Sequence, residues 1–512
     1  MAKRIIGSLL LAASSSTLMA APFVYIPQPQ HDRISIFDLS TDAARSPSAR
    51  EEGKTAQTTT LPVQHNPVAI AANLAGTFVY VVNRDSSSIT VINSSNRSVQ
   101  QSFSVCNQPM AAAVSRNDKN LYVACEGDNS ISVIDTSNYS QLKSIPLNNR
   151  PSQMVITNGG RLYIMSTAGK TIEALDTTSG EKRLFTINTD VQDPDVNKSA
   201  GAPVAMSAQA NDMLYVGAAD GDVYSWYVAD PNSIKRPPRM KILEKPSGTK
   251  RAIKAVDNYS GKIYVALQDG DIIFSDALAP SIATQESSTP QPQATISTNT
   301  SPTGISIAND LKTVAITNGN SNQVAVISTG DNKVSYVDIG APSLANGRFI
   351  STPSFQMAIA SHTQEEDQNS YAWNVIKLQI KRFGDIAGAA KIHYQTESGS
   401  AFTKWDFLEA KGDLEFKDGE DTKEITIQIV GDQSVEENEN FYLKLSSPGD
   451  GYNVGPQSNT EITLVNDDSL PTGAGCSIGY SKEIDPLLPL LATGAFTWLI
   501  TRKRKPSQAE ST

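Results

Sequence analysis

Carboxylates gather in four short stretches of the C-terminal third of the chain: "QEED" at 364–367, "KWDF" around Asp406, "GDQSVEENENF" from Gly431, and "NDD" at 466–468. The segments between them alternate polar and apolar residues, so the acids fall at strand ends and turns. Calcium takes roughly six to eight hard oxygens, and clustered Asp and Glu on loops at one end of a β-sandwich can supply them. A solvated acidic surface is the alternative. Against it, carboxylates packed as closely as in "DQSVEENE" repel one another unless a cation neutralises them. From Phe355 to Leu470 there are 21 Asp plus Glu and 9 Lys plus Arg, a balance of −12 against −10 for the whole chain. One segment therefore accounts for all of the net acidity.

Other reactive groups are sparse. The chain has four histidines. His31 and His65 fall in loops on one side of the repeat array described next, either as solvated side chains or as a ligand pair. No Ser-His-Asp arrangement, Gly-rich phosphate loop or Cys-x-x-Cys-His haem attachment stands out. No basic field suits nucleic acid, so no nucleic-acid partner is expected. The chain is read as not an enzyme.

The elements that must carry these residues are written as repeats. "YVACEGDNSISVID", from Tyr122, echoes "YVVNRDSSSITVIN" from Tyr80, "YIMSTAGKTIEALD" from Tyr163 and "YIPQPQHDRISIFD" from Tyr25. Apolar residues at alternate positions on either side of a polar turn predict a hairpin of half-buried strands. A proline-led strand precedes each hairpin, as at Pro67, Pro109 and Pro151, and a polar strand such as "QLKSIPL" follows. Four short strands per repeat is the unit of a β-propeller blade. Weaker copies start at Tyr215, Tyr264 and Val314, for seven blades in all. The N-terminal copy lacks its inner strand, and "PSLANGRF", from Pro342, supplies one that would close the ring and remove its edges. The hairpin motif resembles the YVTN family of β-propellers over residues 23 to 350, which implies a fold and leaves function open. Cys106 ends one blade's outer strand and Cys125 ends the first hairpin strand of the next, on the same side of the ring. They are read either as a disulfide or as two buried thiols.

The acidic segment, with seven or so longer alternating strands, predicts a β-sandwich. Its "YQTESGSA", "WDF", "GDLEFKDGEDTKEITIQI", "GDQSVEENENFYLKL" and "VNDD" resemble a Calx-β domain over residues 354 to 468. That resemblance implies calcium, with Glu366 (or Glu365), Asp406, Asp432, Glu436, Glu439, Asp467 and Asp468 as ligands. Two departures from the family pattern, the single acid at Gly431–Asp432 and Asn466 opening the last run, imply fewer or weaker sites.

The ends differ from the middle. "MAKRIIGSLLLAASSSTLMA" has basic residues, a short apolar run and then small residues, the pattern of a secretory signal peptide. At the other end Pro486 to Thr501 carries no charge, and the basic cluster Arg502 to Lys505 follows. "GCSIG" with Cys476, "DPLLPLL" and the basic end resemble the JDVT-CTERM type of sorting signal. That resemblance implies an intramembrane processing protease as partner and Cys476 as a recognition or modification site.

The expected fold is all-β: signal peptide 1–21, seven-bladed β-propeller 22–350, Calx-β-like sandwich 354–468, linker 469–484, and a transmembrane or sorting segment with its basic end at 485–505. The expected function is an exported binding or adhesion protein anchored in the bacterial cell envelope, in the periplasm or at the cell surface. Its propeller platform would take a macromolecular or surface ligand, and its spacer would hold calcium. A periplasmic lactonase-like hydrolase or redox-enzyme partner is the alternative.

Overall fold

The structure, a computed structural model, describes residues 22–466 apart from internal stretches, of which the longest are 40–56, 187–201, 228–238, 241–250 and 277–293. The signal peptide, the linker with Cys476 and the segment 485–505 lie outside the described residues.

Every repeat forms a four-stranded antiparallel sheet. The third reads Pro109–Val114, Asn120–Cys125, Ser130–Asp135 and Gln141–Pro146 from inside to outside. Its hairpin register pairs Tyr122 with Val133 and Cys125 with Ser130. The two middle strands are buried along nearly their whole length, whereas Gln141–Pro146 is exposed apart from Ile145. The alternation predicted half-buried strands. The structure differs because each sheet is covered on both faces by its neighbours, so small polar residues such as Ser132 and Thr90 are buried too.

Seven such sheets occur among the described residues. Each stacks on the next through a shared apolar cluster: Val82 and Leu121 join the second and third, Tyr122 and Ile164 the third and fourth, and Tyr264 and Ile316 the sixth and seventh. The cluster around Tyr25 draws Val79 from the second sheet and Val326 from the seventh, so the last sheet packs on the first. That stacking removes from water the faces that no single sheet could bury.

The first sheet borrows its inner strand from far along the chain, at Ile350–Ser351, where Phe23 pairs with Ser351 and Val24 with Ile350. The segment beginning at Pro342, expected to be that strand, lies instead against the seventh sheet. The Ser343 amide donates to the Asn318 carbonyl at 2.9 Å and the Thr303 hydroxyl to the Ser343 carbonyl at 2.9 Å. With those groups engaged, pairing with the first sheet begins only when the Tyr25 amide meets the Phe349 carbonyl at 2.8 Å.

The chain then enters a two-sheet sandwich. One sheet holds Thr422–Val430, Trp373–Phe383, Ser354–Met357 and Asn453–Val454. The other holds Ser361–Glu365, Asn459–Val465, Glu439–Ser446, Ala390–Ser398 and Lys411–Phe416. Here the alternation is real: in Thr422–Val430, Ile425, Ile427 and Ile429 face the core and the residues between them face out. Phe407 stacks on Phe441 with ring centroids 4.0 Å apart.

No free linker separates the two parts. Ser351, Thr352 and Ser354 are buried. The Ser354 hydroxyl donates to the Ala75 carbonyl at 2.7 Å and the Ser95 hydroxyl to the Gly384 carbonyl at 2.7 Å. Gly76 has φ +70°, and a Cβ there would stand 2.1 Å from the Thr352 carbonyl oxygen. The turn carrying Gly76 is held from the third sheet by Asp118. Its carboxylate accepts the amides of Leu74 and Ala75 at 2.9 and 2.8 Å and the Asn73 side-chain amide at 3.1 Å. Burial outweighs these donors and pushes the Asp118 carboxyl up to about 6.

Candidate metal centre

The strand directions place the acidic loops at the end of the sandwich away from this seam. Trp373–Phe383 finishes beside Gly384 at the seam, and its partner Thr422–Val430 runs back to the far end. There Val430 donates its amide to the Asp406 carbonyl at 2.9 Å.

Asp406 lies in a tight turn, Phe402 to Phe407. The Asp406 amide donates to the Phe402 carbonyl at 3.0 Å, and the Phe402 amide returns to Asp406 Oδ2 at 2.6 Å. Lys404, with φ +76°, lets the turn reverse. The turn drives Asp406 and Phe407 inward, to 6 % and 1 % exposure, and leaves Trp405 outside. The facing loop leads into Glu439–Ser446. Its Glu436 amide donates to Asn466 Oδ1 at 3.1 Å, and the Asn466 amide donates to Asn438 Oδ1 at 3.2 Å. The loop is thereby tied to the point where the last strand, Asn459–Val465, ends.

One carboxylate oxygen from each of Asp406, Glu436 and Glu439 lies within 4.8 Å of the others. Calcium–oxygen bonds of roughly 2.3–2.6 Å allow two oxygens on one ion to stand up to about 5 Å apart. The donor set is all hard oxygen and the spacing matches, so these three residues fit a calcium ion.

The remaining expected ligands divide. Glu366 is buried at the same end, its amide donating to the Val465 carbonyl at 3.1 Å, but it is not one of the three converging groups. Glu365 is exposed at the end of Ser361–Glu365. Asp432, Asp467 and Asp468 lie outside the described residues. Cys106 and Cys125 are joined by a disulfide with their Cα atoms 5.7 Å apart. His65 Nδ1 stands 2.7 Å from Asp32 Oδ2. The Asn66 amide and then His65 hold the Asp32 carboxyl below its usual value. His31 is exposed.

Between the stacked sheets runs a channel of about 440 Å³. About half of its lining residues are Ala, Val and Ile, chiefly from the inner strands; Arg116 and Lys254 are its cationic side chains, and Asn453 and Val454 of the sandwich contribute to it. Several polar groups along it bind neighbouring sheets together. Gln153 exchanges two hydrogen bonds with the Met206 backbone, and Asp257 accepts from the Ser207 hydroxyl and the Ile307 amide. Sequence reading missed this lining, because inner strands distant in the chain meet there only after the sheets stack. It also missed the exposure of Trp405, which the turn geometry decides.

Residues 359–468 match the family model of the Calx-beta domain. The sodium/calcium exchanger Calx of Drosophila melanogaster is 32 % identical over 92 residues, covering 18 % of this chain and 10 % of that protein. The chain spans a tenth or less of the length of the first curated relatives it matches. Among solved structures, the apo-form Calx CBD1 domain is 26 % identical and covers 23 % of this chain and 99 % of that one, with a TM-score of 0.21. The Cps50 (Swd1) β-propeller domain of Myceliophteria thermophila is 11 % identical and covers 55 % and 89 %, with a TM-score of 0.45. No helix among the described residues is long and apolar enough to cross a membrane. Residues 359–468 of this chain are a Calx-beta domain, joined without a free linker to a propeller-like array of four-stranded sheets.

Proposed function

We propose that this chain is an exported, envelope-anchored and non-catalytic binding protein. A seven-bladed β-propeller presents the ligand surface, and the Calx-beta domain is a calcium-stiffened spacer between that platform and a membrane-directed tail. The observation that carries the calcium reading is the convergence of Asp406, Glu436 and Glu439 within 4.8 Å at the end where the chain leaves the sandwich. Bound calcium would supply positive charge that turns three mutually repelling carboxylates into a cross-link between two loops. The protein's own part is positioning. The Phe402–Phe407 turn fixes Asp406, and Asn466 fixes the backbone at Glu436, so the ion would meet oxygens already gathered.

The buried seam supports the platform reading, because hydrogen bonds at Ser354 and Ser95 tie the propeller to the spacer. The engagement of Gln153 and Asp257 between sheets supports a structural channel over a catalytic one. The anchoring tail, its processing protease and the role of Cys476 rest on the sequence of residues 476–505.

The test is calcium titration of the full chain by calorimetry. Wild type binds with a dissociation constant on the order of 10⁻⁴ to 10⁻³ M, the range of extracellular modules. The double variant Glu436→Gln, Glu439→Gln loses the heat while keeping the wild-type circular dichroism. An unchanged isotherm in that variant removes the site from these residues.

A further inference from the structure

The end of the sandwich that gathers the carboxylates also exposes apolar side chains. Trp405 is 63 % exposed and Val435 46 %. Each directly precedes a candidate ligand, Asp406 and Glu436. The exposure of Trp405 is built into the turn: hydrogen bonds from the Trp405 and Asp406 amides to the Phe402 carbonyl, and from the Lys404 amide to the Phe407 carbonyl at 2.7 Å, hold the ring out while its neighbour points in. Lys404, also exposed, stands beside it.

From this juxtaposition we propose that the tip is a calcium-dependent docking surface for an anionic lipid bilayer, with Trp405 and Val435 entering the interfacial layer. The inference rests on the calcium reading above and extends it to a partner. Indole is amphipathic and prefers the membrane–water interface, where one edge stays wet. Three carboxylates alone repel anionic headgroups. Calcium between them offsets two of their three negative charges, and the ion keeps coordination positions that headgroup oxygens fill, since calcium takes roughly six to eight oxygens. Lys404 adds attraction to the same headgroups.

The membrane is the chosen occupant because of where the chain goes. The last strand ends at this tip, and the uncharged run Pro486 to Thr501 begins 20 residues beyond Asn466. Twenty residues reach at most about 70 Å when fully extended. A tail held in a membrane therefore tethers this end within about 70 Å of the lipid surface, while the propeller joins the sandwich at its opposite end.

The test uses the full chain on vesicles. The probe is lipid brominated along its acyl chains, which quenches tryptophan only on contact. The signal from Trp405 is the difference between wild type and Trp405→Phe, which removes the fluorophore from among the chain's four tryptophans and keeps an apolar ring. Calcium binding is titrated on the same samples, and flotation in chelator reads tail anchoring separately. On phosphatidylserine-containing vesicles the Trp405 signal is quenched and blue-shifted with millimolar calcium, and the effect is lost with chelator and in Glu436→Gln, Glu439→Gln. Calcium bound with Trp405 still unquenched overturns the inference, leaves the calcium reading intact and points to a protein partner. Equal quenching on purely zwitterionic vesicles also overturns it, because the headgroup bridge is then unnecessary. Absence of both calcium binding and quenching removes the metal site and the docking surface together.

Discussion

Gly76→Ala tests the seam that makes two folds one body. The new Cβ would lie 2.1 Å from the Thr352 carbonyl oxygen and 3.0 Å from its carbon. Ordinary contact begins at 3.4 Å, so the collision amounts to about 1.3 Å and is made with backbone, which no rotamer change relieves. Overpacking of this kind costs roughly 1–3 kcal/mol. Ala at φ +70° adds roughly 1–2 kcal/mol of backbone strain, partly offset by the reduced freedom of the unfolded chain. Gly419 provides a matched control. Its φ is +74°, but a Cβ there meets nothing within 4 Å. Gly419→Ala therefore carries the strain without the collision, and the difference between the variants isolates the seam at roughly 1–3 kcal/mol. Scanning calorimetry of the full chain is the assay. Gly76→Ala lowers the midpoints of both the propeller and the sandwich, whereas Gly419→Ala shifts the sandwich alone. Equal shifts in the two variants, or a loss in Gly76→Ala confined to the propeller, refute the claim that the parts are wedged together there.

Three further outcomes follow from particular contacts. Asp118 has a folded-state pKa of about 6 against an ordinary 3.8, so the folded state resists its ionisation and stability falls as pH rises through that window. Relative to Asp118→Asn, wild type should lose on the order of 3 kcal/mol between pH 4 and pH 7.5 in urea titrations, and a pH-independent difference contradicts the account. Replacing Cys106 and Cys125 together by Ala frees the loop between them and costs about 3 kcal/mol on chain-entropy grounds, read from denaturation with and without reductant. Phe407→Ala removes the ring stacked on Phe441 behind the carboxylate turn. It costs roughly 3–5 kcal/mol by denaturation, and a weaker calcium isotherm should accompany the loss because Asp406 shares that turn.

Much of this molecule is legible along the chain because its elements are local. A tyrosine-led hairpin, its polar turn and its flanking strands lie within some forty residues of one another, so alternation and turn chemistry specify each sheet before any distant contact forms. The sandwich strands and the acidic loops between them are readable for the same reason, and so are Asp406, Glu436 and Glu439 as candidate ligands. The sequence does not carry the outcome where the deciding contact is remote. Ser132 and Thr90 are buried because stacked neighbours cover both faces of each sheet, which no two-residue period reveals. The inner strand of the first sheet falls at Ile350–Ser351 instead of near Pro342 because the seventh sheet engages Ser343 first. Asp118 rises toward neutrality through burial against a turn 43 residues away. Trp405 and Asp406 are adjacent in sequence, yet one points to solvent and the other into the carboxylate cluster. A single tight turn, tied by the Val430 amide to the sheet behind it, makes that choice, and only the folded chain contains it.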